Sequence, residues 1–398
     1  MIELYNRFLR KLSKVSLEFT RSAMDEIPWK AQLVGIKGAR GVGKTTLLLQ
    51  YIKLHLSDQI EQTLYVSLDS LWFSSHSLYE LIEYFYKQGG KFLFLDEVHK
   101  YPNWAQELKN TYDDYPELKV VFTGSSALEI LNARADLSRR AVIYEMQGFS
   151  FREFLSIESQ IDFSMISFTE ILDNHREISH EIVQKVKPFQ YFSKYLEYGY
   201  YPFYKEDKDL YEMKLIEVVN MILEIELPLL RGIEPGYVFK LKELLSVISS
   251  SVPFTPNISK LGERLALNRS TILSYLHNFQ EVRLTNNLFK EANGISKLQK
   301  PQKIYLENTN LMQILSPNQV NIGNIRETFF ANQVGFKHHL MYTAKGDFLV
   351  DEKITIEIGG KGKTKHQIEG IENAFIAADE IEYGLNQKIP LWLFGFLY

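Results

Sequence analysis

The chain has 398 residues, of which 45% are hydrophobic and 24% charged, with a formal net charge of −4. That length exceeds one ordinary hydrophobic core, so two or three domains are expected, and the small net charge excludes a protein that coats polyanions with its whole surface. The absence of cysteine excludes disulfides, thiol chemistry and cysteine-ligated zinc or iron–sulfur centres, and it fits a reducing, cytoplasmic setting.

The first stretch, MIELYNRFLRKLSK, is charged and amphipathic, without the apolar core and small-residue cleavage site of a secretory signal. Residues 1–30 read as a lead-in helix ending at DEIPW. From 31 to 155, strand-like runs (QLVGI, TLYVSLD, KFLFLDE, LKVVFTGSS, AVIYEMQ) alternate with helical ones. The alternation predicts a parallel sheet covered by helices, with its ligand at the carboxyl ends of the strands.

Between the first of these strands and the helical TTLLLQYIKLHL lies GARGVGKTT, residues 38–46. Gly38, Ala39, Arg40, Gly41, Val42, Gly43, Lys44, Thr45 and Thr46 fit the phosphate-loop pattern of Gly, four residues, then Gly-Lys-Thr. Such a loop turns backbone N–H groups onto phosphate oxygens, while the lysine reaches the β- and γ-phosphates and the hydroxyl ligates Mg²⁺. A triphosphatase also needs an acidic metal partner on a neighbouring strand, and KFLFLDEVHK supplies one: Asp96 to organise the Mg²⁺ shell, with Glu97 to polarise the attacking water. Read singly, the acids are caps of a buried strand and the loop a tight turn; together, in this order, the two motifs favour phosphate chemistry. The next strand ends in Thr123 and Ser125, polar groups suited to sensing a γ-phosphate or a water. Beyond it come Arg134, Arg139 and Arg140, either solvated surface charges or a source of a guanidinium for transition-state charge, in cis or from a neighbouring copy.

Residues 156–235 read as a helical lid or subdomain. Its aromatic run PFQYFSKYLEYGYYPFYKED has the mixed spacing of a core rather than of a base-stacking platform. Residues 236–300 read as a winged helix: two helices within NISKLGERLALNRSTILSYLHNFQEVRLTNNL, a turn at Leu267-Asn268, Asn268 as N-cap, and a strand-like wing. Residues 240–300 hold nine Lys/Arg against four Asp/Glu. Ser270 and Thr271 would face base edges, and Lys260, Arg264, Arg269 and Arg283 phosphates, if this module meets DNA rather than serving as a packing unit. From 301 the chain is again α/β, with IRETFFANQVGF helical, GDFLVDEKITIEIGG a hairpin, TKHQIEGIENAFIAADEIEYG a helix and a strand, and the apolar IPLWLFGFLY a buried final strand, too short to span a bilayer. Glu327, Asp347 and Glu357 would converge on one metal if the helix and hairpin pack together; otherwise they are surface or capping acids.

In GARGVGKTTLL, FLDEVHKYPNWAQELKNTYD, VVFTGSSAL, SRRAVIYEMQGFSFREFL, the winged helix and DFLV…ITIEIGG, the chain resembles, over its full length, AAA-type ATPases of the AAA_14 kind with a C-terminal DUF4143 domain. The resemblance implies ATP and Mg²⁺ as cofactors, held by Lys44, Thr45 and Asp96, with Glu97 at the water, Ser125 as a polar sensor and Arg140 as the arginine finger. It also implies a restriction-nuclease-like C-terminal fold, whose helix Glu, strand Asp and Glu-x-Lys match Glu327, Asp347 and Glu357, but with Gly359 at the lysine position and Lys361 two residues later. The expected architecture is therefore α/β: a P-loop core (1–155), a helical subdomain (156–235), a winged helix (236–300) and a small nuclease-like domain (301–398). The leading functional expectation is an ATPase whose nucleotide state controls a C-terminal half that binds DNA or a protein partner, with a neighbouring copy needed if the finger acts in trans. An ATP-gated nuclease and a non-hydrolysing ATP-bound switch are the alternatives.

Overall fold

The computed structural model describes residues 1–124, 137, 139–290, 299–317 and 321–398, which divide into two compact units, Met1–Gly148 and Phe149–Tyr398.

The first unit is built on five parallel strands: β1 (Leu33–Lys37), β2 (Thr63–Ser67), β3 (Phe92–Asp96), β4 (Lys119–Gly124) and β5 (Val142–Glu145). Their spatial order is β2-β3-β4-β1-β5. The three inner runs, β3, β4 and β1, are near-continuously buried because helices cover both faces of a parallel sheet; of the two edge strands, β2 is buried and β5 largely unburied. This is the expected P-loop α/β sheet. Its helices are α1 (Ile2–Lys14), α2 (Ala23–Glu26), α3 (Lys44–His55), α4 (Leu78–Lys87) and α5 (Trp104–Asp114). A reciprocal Ser77/Glu80 capping box starts α4 by satisfying backbone donors at its first turn. The lead-in is two helices rather than one: α1 anchors through buried Leu4 and Phe8, and the chain leaves its end in extended conformation at Val15.

In the second unit the aromatic run is core. Phe192, Tyr195, Tyr200, Tyr201, Tyr204 and Tyr211 are each at most 4% exposed, with Phe154 and Tyr195 in edge-to-face contact. Helices Val238–Ser249, Ile258–Leu265 and Arg269–Glu281 precede an antiparallel pair, β6 (Thr285–Leu288) and β7 (Lys303–Leu306), and Phe254 bridges to Ile304. Asn268 caps the third of these helices, accepting from the Thr271 N–H at 2.8 Å.

The end of the chain forms a mixed sheet in the order β12-β11-β10-β9-β8: β8 (Leu340–Met341), β9 (Phe348–Val350), β10 (Ile354–Gly359), β11 (Ala374–Ala378) and β12 (Lys388–Pro390). Helix Ile322–Gly335 packs against it through Phe330, whose ring centroid lies 5.1 Å from that of Phe348. Two expectations fail here. The helix expected in TKHQIEGIENAF is a single 3₁₀ turn, Lys365–Ile368, because the chain turns at Gly370 with φ +74°. The final apolar run is a strand only to Pro390. Leu391–Phe396 then coils into a 3₁₀ helix with Trp392, Leu393, Phe394 and Phe396 fully buried. Short apolar runs do not distinguish a buried strand from a buried helix by periodicity.

Candidate functional site

The loop after β1 needs its glycines. Gly41 and Gly43 have φ of +85° and +96°, and a Cβ on Gly38 would stand 2.2 Å from the Met146 carbonyl oxygen. Gly43 sits at the N-terminus of α3, so the free N–H groups of the helix point into the loop. Lys44 is 6% exposed and its Nζ donates to the carbonyls of Gly38 (2.8 Å) and Ala39 (2.9 Å), so the ammonium lies across the mouth of the loop. Arg21, buried at 7% exposure, braces the structure from behind by donating to the carbonyls of Val42, Gln147 and Gly148. Thr46 is exposed at the first turn of α3.

Asp96, the last residue of β3, is where the separate motifs meet. Its Oδ2 accepts from Thr45 Oγ1 at 2.7 Å and from the Tyr65 hydroxyl at 2.6 Å, and its Oδ1 accepts from the Thr123 hydroxyl. Parallel register explains the convergence, since β2, β3 and β4 end at the same side of the sheet. Thr45 can donate its proton to Asp96 while its oxygen lone pairs remain available to a hard cation, so the hydroxyl and carboxylate oxygens suit Mg²⁺.

Glu97 occupies the left-handed region (φ +56°), and its N–H donates to Thr123 Oγ1 at 3.2 Å. Its carboxylate lies 3.4 Å from His99 Nε2. The His99 side chain is 5% exposed, and burial, with the charges of Lys100, Lys44 and Arg40, pushes its pKa down to about 4, so the imidazole is neutral at ordinary pH. Arg140 is engaged in a bidentate pair with Asp113 of α5 (2.9 and 3.0 Å), while Arg139 is exposed. Ser125 and Arg134 lie outside the described residues.

The three C-terminal acids come into one neighbourhood. Lys303 of β7 spans Glu327 (3.8 Å) and Asp347 (3.6 Å), and Tyr305 donates to Glu327 at 2.6 Å. Asp347 Oδ2 accepts from the Ile358 N–H at 2.8 Å. Glu357, 1% exposed, pairs with Lys363 rather than Lys361. Gly359 makes this possible: a Cβ there would sit 2.6 Å from Lys363 Cγ, so the missing side chain leaves room for Lys363 to fold back over the strand end. Burial above all, and then mutual repulsion, raises the pKa of Glu327; burial likewise raises that of Glu357. Among the described residues, no three His, Cys, Asp or Glu side chains are grouped so that they could hold a metal ion. The acids face lysines instead.

Sequence reasoning missed Tyr65, His99, Arg21, Lys303 and Lys363. His99, two residues beyond Glu97, and Lys363, two beyond Lys361, stood close enough in sequence to have been suspected. Tyr65, Arg21 and Lys303 reach their partners across the fold, and Lys363 reaches Glu357 only because the chain turns back past Gly359.

On the basic module, Lys260, Arg264, Arg269 and Ser270 are exposed, and the Ser270 and Thr271 hydroxyls turn to Asn268 Oδ1. Arg283, of the same expected set, is partly exposed and lies 3.9 Å from buried Glu307. Among the described residues, no helix is long and apolar enough to cross a membrane.

Uncharacterized protein MJ1637 of Methanocaldococcus jannaschii is 26% identical to this chain, over 92% of this chain and 85% of its own length. Among solved structures, AMPPCP-bound DnaA from Aquifex aeolicus is 13% identical with a TM-score of 0.27, covering 65% of this chain and 84% of its own. PCH-2 of C. elegans is 18% identical with a TM-score of 0.24, covering 39% of this chain and 45% of its own, so less than half of that chain is matched. Scores this low support no conclusion about the present chain. Residues 30–155, the segment that holds the phosphate loop and the parallel sheet, match the family model AAA_14, described as an AAA domain.

Proposed function

We propose that this protein is a Mg²⁺-dependent ATPase whose nucleotide state controls a second half that binds DNA or a protein partner. The observation that carries the reading is the convergence on Asp96 of the Thr45 hydroxyl from the phosphate loop and the Thr123 hydroxyl from β4. In this reading the loop N–H groups and Lys44 hold the phosphates, and Lys44 exchanges its loop carbonyls for phosphate oxygens when ATP enters. Thr45 and Asp96 hold Mg²⁺, which when bound neutralises charge developing on the phosphates. Glu97 orients the attacking water and accepts its proton. Arg140 serves as the finger only after leaving Asp113, and Ser125 as the sensor. The basic helices and β6–β7 pair read as a winged helix, with Lys260, Arg264 and Arg269 toward phosphates.

The acid cluster supports a structural or nucleic-acid-binding role better than cleavage, because its carboxylates are already engaged by lysines, Glu327 and Asp347 by Lys303 and Glu357 by Lys363. The test is ATP hydrolysis with Mg²⁺, with and without duplex and single-stranded DNA. Lys44→Ala should abolish nucleotide binding, and Glu97→Gln should retain binding while blocking turnover. Equal turnover by Glu97→Gln and wild type refutes the assignment of the base. A rate unmoved by DNA turns the reading of the second half toward a protein partner.

A further inference from the structure

The nucleotide reading uses Thr45 and Thr123 at Asp96 but leaves the third donor without a role. Tyr65 projects from β2, the strand paired with β3, and its hydroxyl donates to the same Oδ2 that accepts from Thr45. It is 2% exposed, so bulk water offers its hydroxyl no alternative. A carboxylate has no proton to give, so in this bond the phenol is the donor and Asp96 the acceptor. Three hydroxyls from three elements, α3, β2 and β4, thus fix the plane and rotamer of one carboxylate.

Tyr65 is in turn held by the N-terminal helix. Lys11 Nζ lies 3.4 Å from the Tyr65 oxygen and 5.1 Å from its ring centroid, and the Phe8 ring packs 6.3 Å from that of Tyr65. An ammonium donating to a phenol oxygen polarises its O–H and strengthens the bond that the phenol makes onward. Partners that orient a metal ligand from behind set how well that ligand binds its metal.

We propose that Tyr65 is a positioning residue for Asp96 and that α1, through Lys11, keeps it in place, so that Mg²⁺ use at the nucleotide site depends on the N-terminal helix. This rests on the reading of Thr45 and Asp96 as the Mg²⁺ site. Tyr65 acts through Asp96 and touches neither nucleotide nor water.

The test is binding of a fluorescent ATP analogue to the full chain, titrated from EDTA into Mg²⁺, for wild type, Tyr65→Phe and Lys11→Met. Tyr65→Phe should bind the analogue in EDTA as wild type does. It should need about 10–100-fold more Mg²⁺ to reach the metal-dependent state, the cost typical of losing such a partner. Turnover at saturating Mg²⁺ should recover, a split that a general loss of stability does not produce. Lys11→Met should move the titration the same way by a smaller factor. If wild type itself gains nothing from Mg²⁺, the nucleotide reading falls. If wild type responds and Tyr65→Phe titrates at the same concentration, the positioning role falls and the nucleotide reading stands. Lys11 is exposed, so Lys11→Met carries the test should Tyr65→Phe not fold; an unchanged titration there overturns the link to α1.

Discussion

Acidification through the histidine range should destabilise the first unit by way of His99. In the unfolded chain this imidazole takes up a proton near 6.5, while in the fold burial and three nearby cations hold its pKa at about 4. Between those values the unfolded state binds a proton that the folded state does not, so stability falls as pH falls from 6.5 and the loss is complete below 4. At about 1.4 kcal/mol per pH unit, the full loss is about 3 kcal/mol, a large share of a typical domain's stability. The assay is urea unfolding of wild type and His99→Gln at pH 7.5 and pH 4.5. Tryptophan fluorescence is a suitable signal, since Trp29, Trp72 and Trp104 lie in the first unit and only Trp392 in the second. His99→Gln keeps a donor for Glu97 but cannot titrate, so wild type should lose roughly 2–3 kcal/mol more than the variant over this interval. Equal losses in the two proteins would show that His99 is not held neutral, and the electrostatic account of the Glu97 environment would fail with it.

Two substitutions test other parts of the molecule. Gly38→Ala places a Cβ against a backbone carbonyl that cannot swing aside as a side chain could, so it should abolish binding of a fluorescent nucleotide and lower the melting temperature of the first unit. Lys363→Ala leaves the Glu357 carboxylate buried without its cation and should cost about 1–3 kcal/mol at pH 7.5, discounted because Lys363 is partly exposed. Because burial already raises the Glu357 pKa, the sign is fixed: protonation relieves the penalty, so the deficit relative to wild type should shrink as pH falls toward 5. A deficit that is the same at pH 7.5 and pH 5 would contradict it.

The phosphate loop, the strand-end pair Asp96-Glu97 and the parallel sheet were legible because each is local. Glycines mark the tight turn, short apolar runs mark the buried strands, and the period of the pattern changes where strand gives way to helix. Asn268 was legible as a cap for the same reason, since capping involves groups only three residues apart. Legibility stopped where a choice depended on what lies across the fold. The run IPLWLFGFLY is apolar enough for a strand or a buried helix, and it coils at Leu391 in a setting where Gly395 passes so close to Phe151 that a Cβ would meet its Cβ at 2.4 Å. Gly359 looked like a lost lysine; only packing showed that it makes room for Lys363, four residues on. Arg140 and Arg139 are alike as residue types; the family resemblance singled out Arg140, but that it pairs with Asp113 of α5 is read from the fold alone. The sequence alone therefore determined which groups could carry phosphate chemistry and in what order the elements occur. The tertiary structure decided which side chains face them, because Tyr65 meets Asp96 through the register of β2 on β3, and no residue within either strand records that alignment.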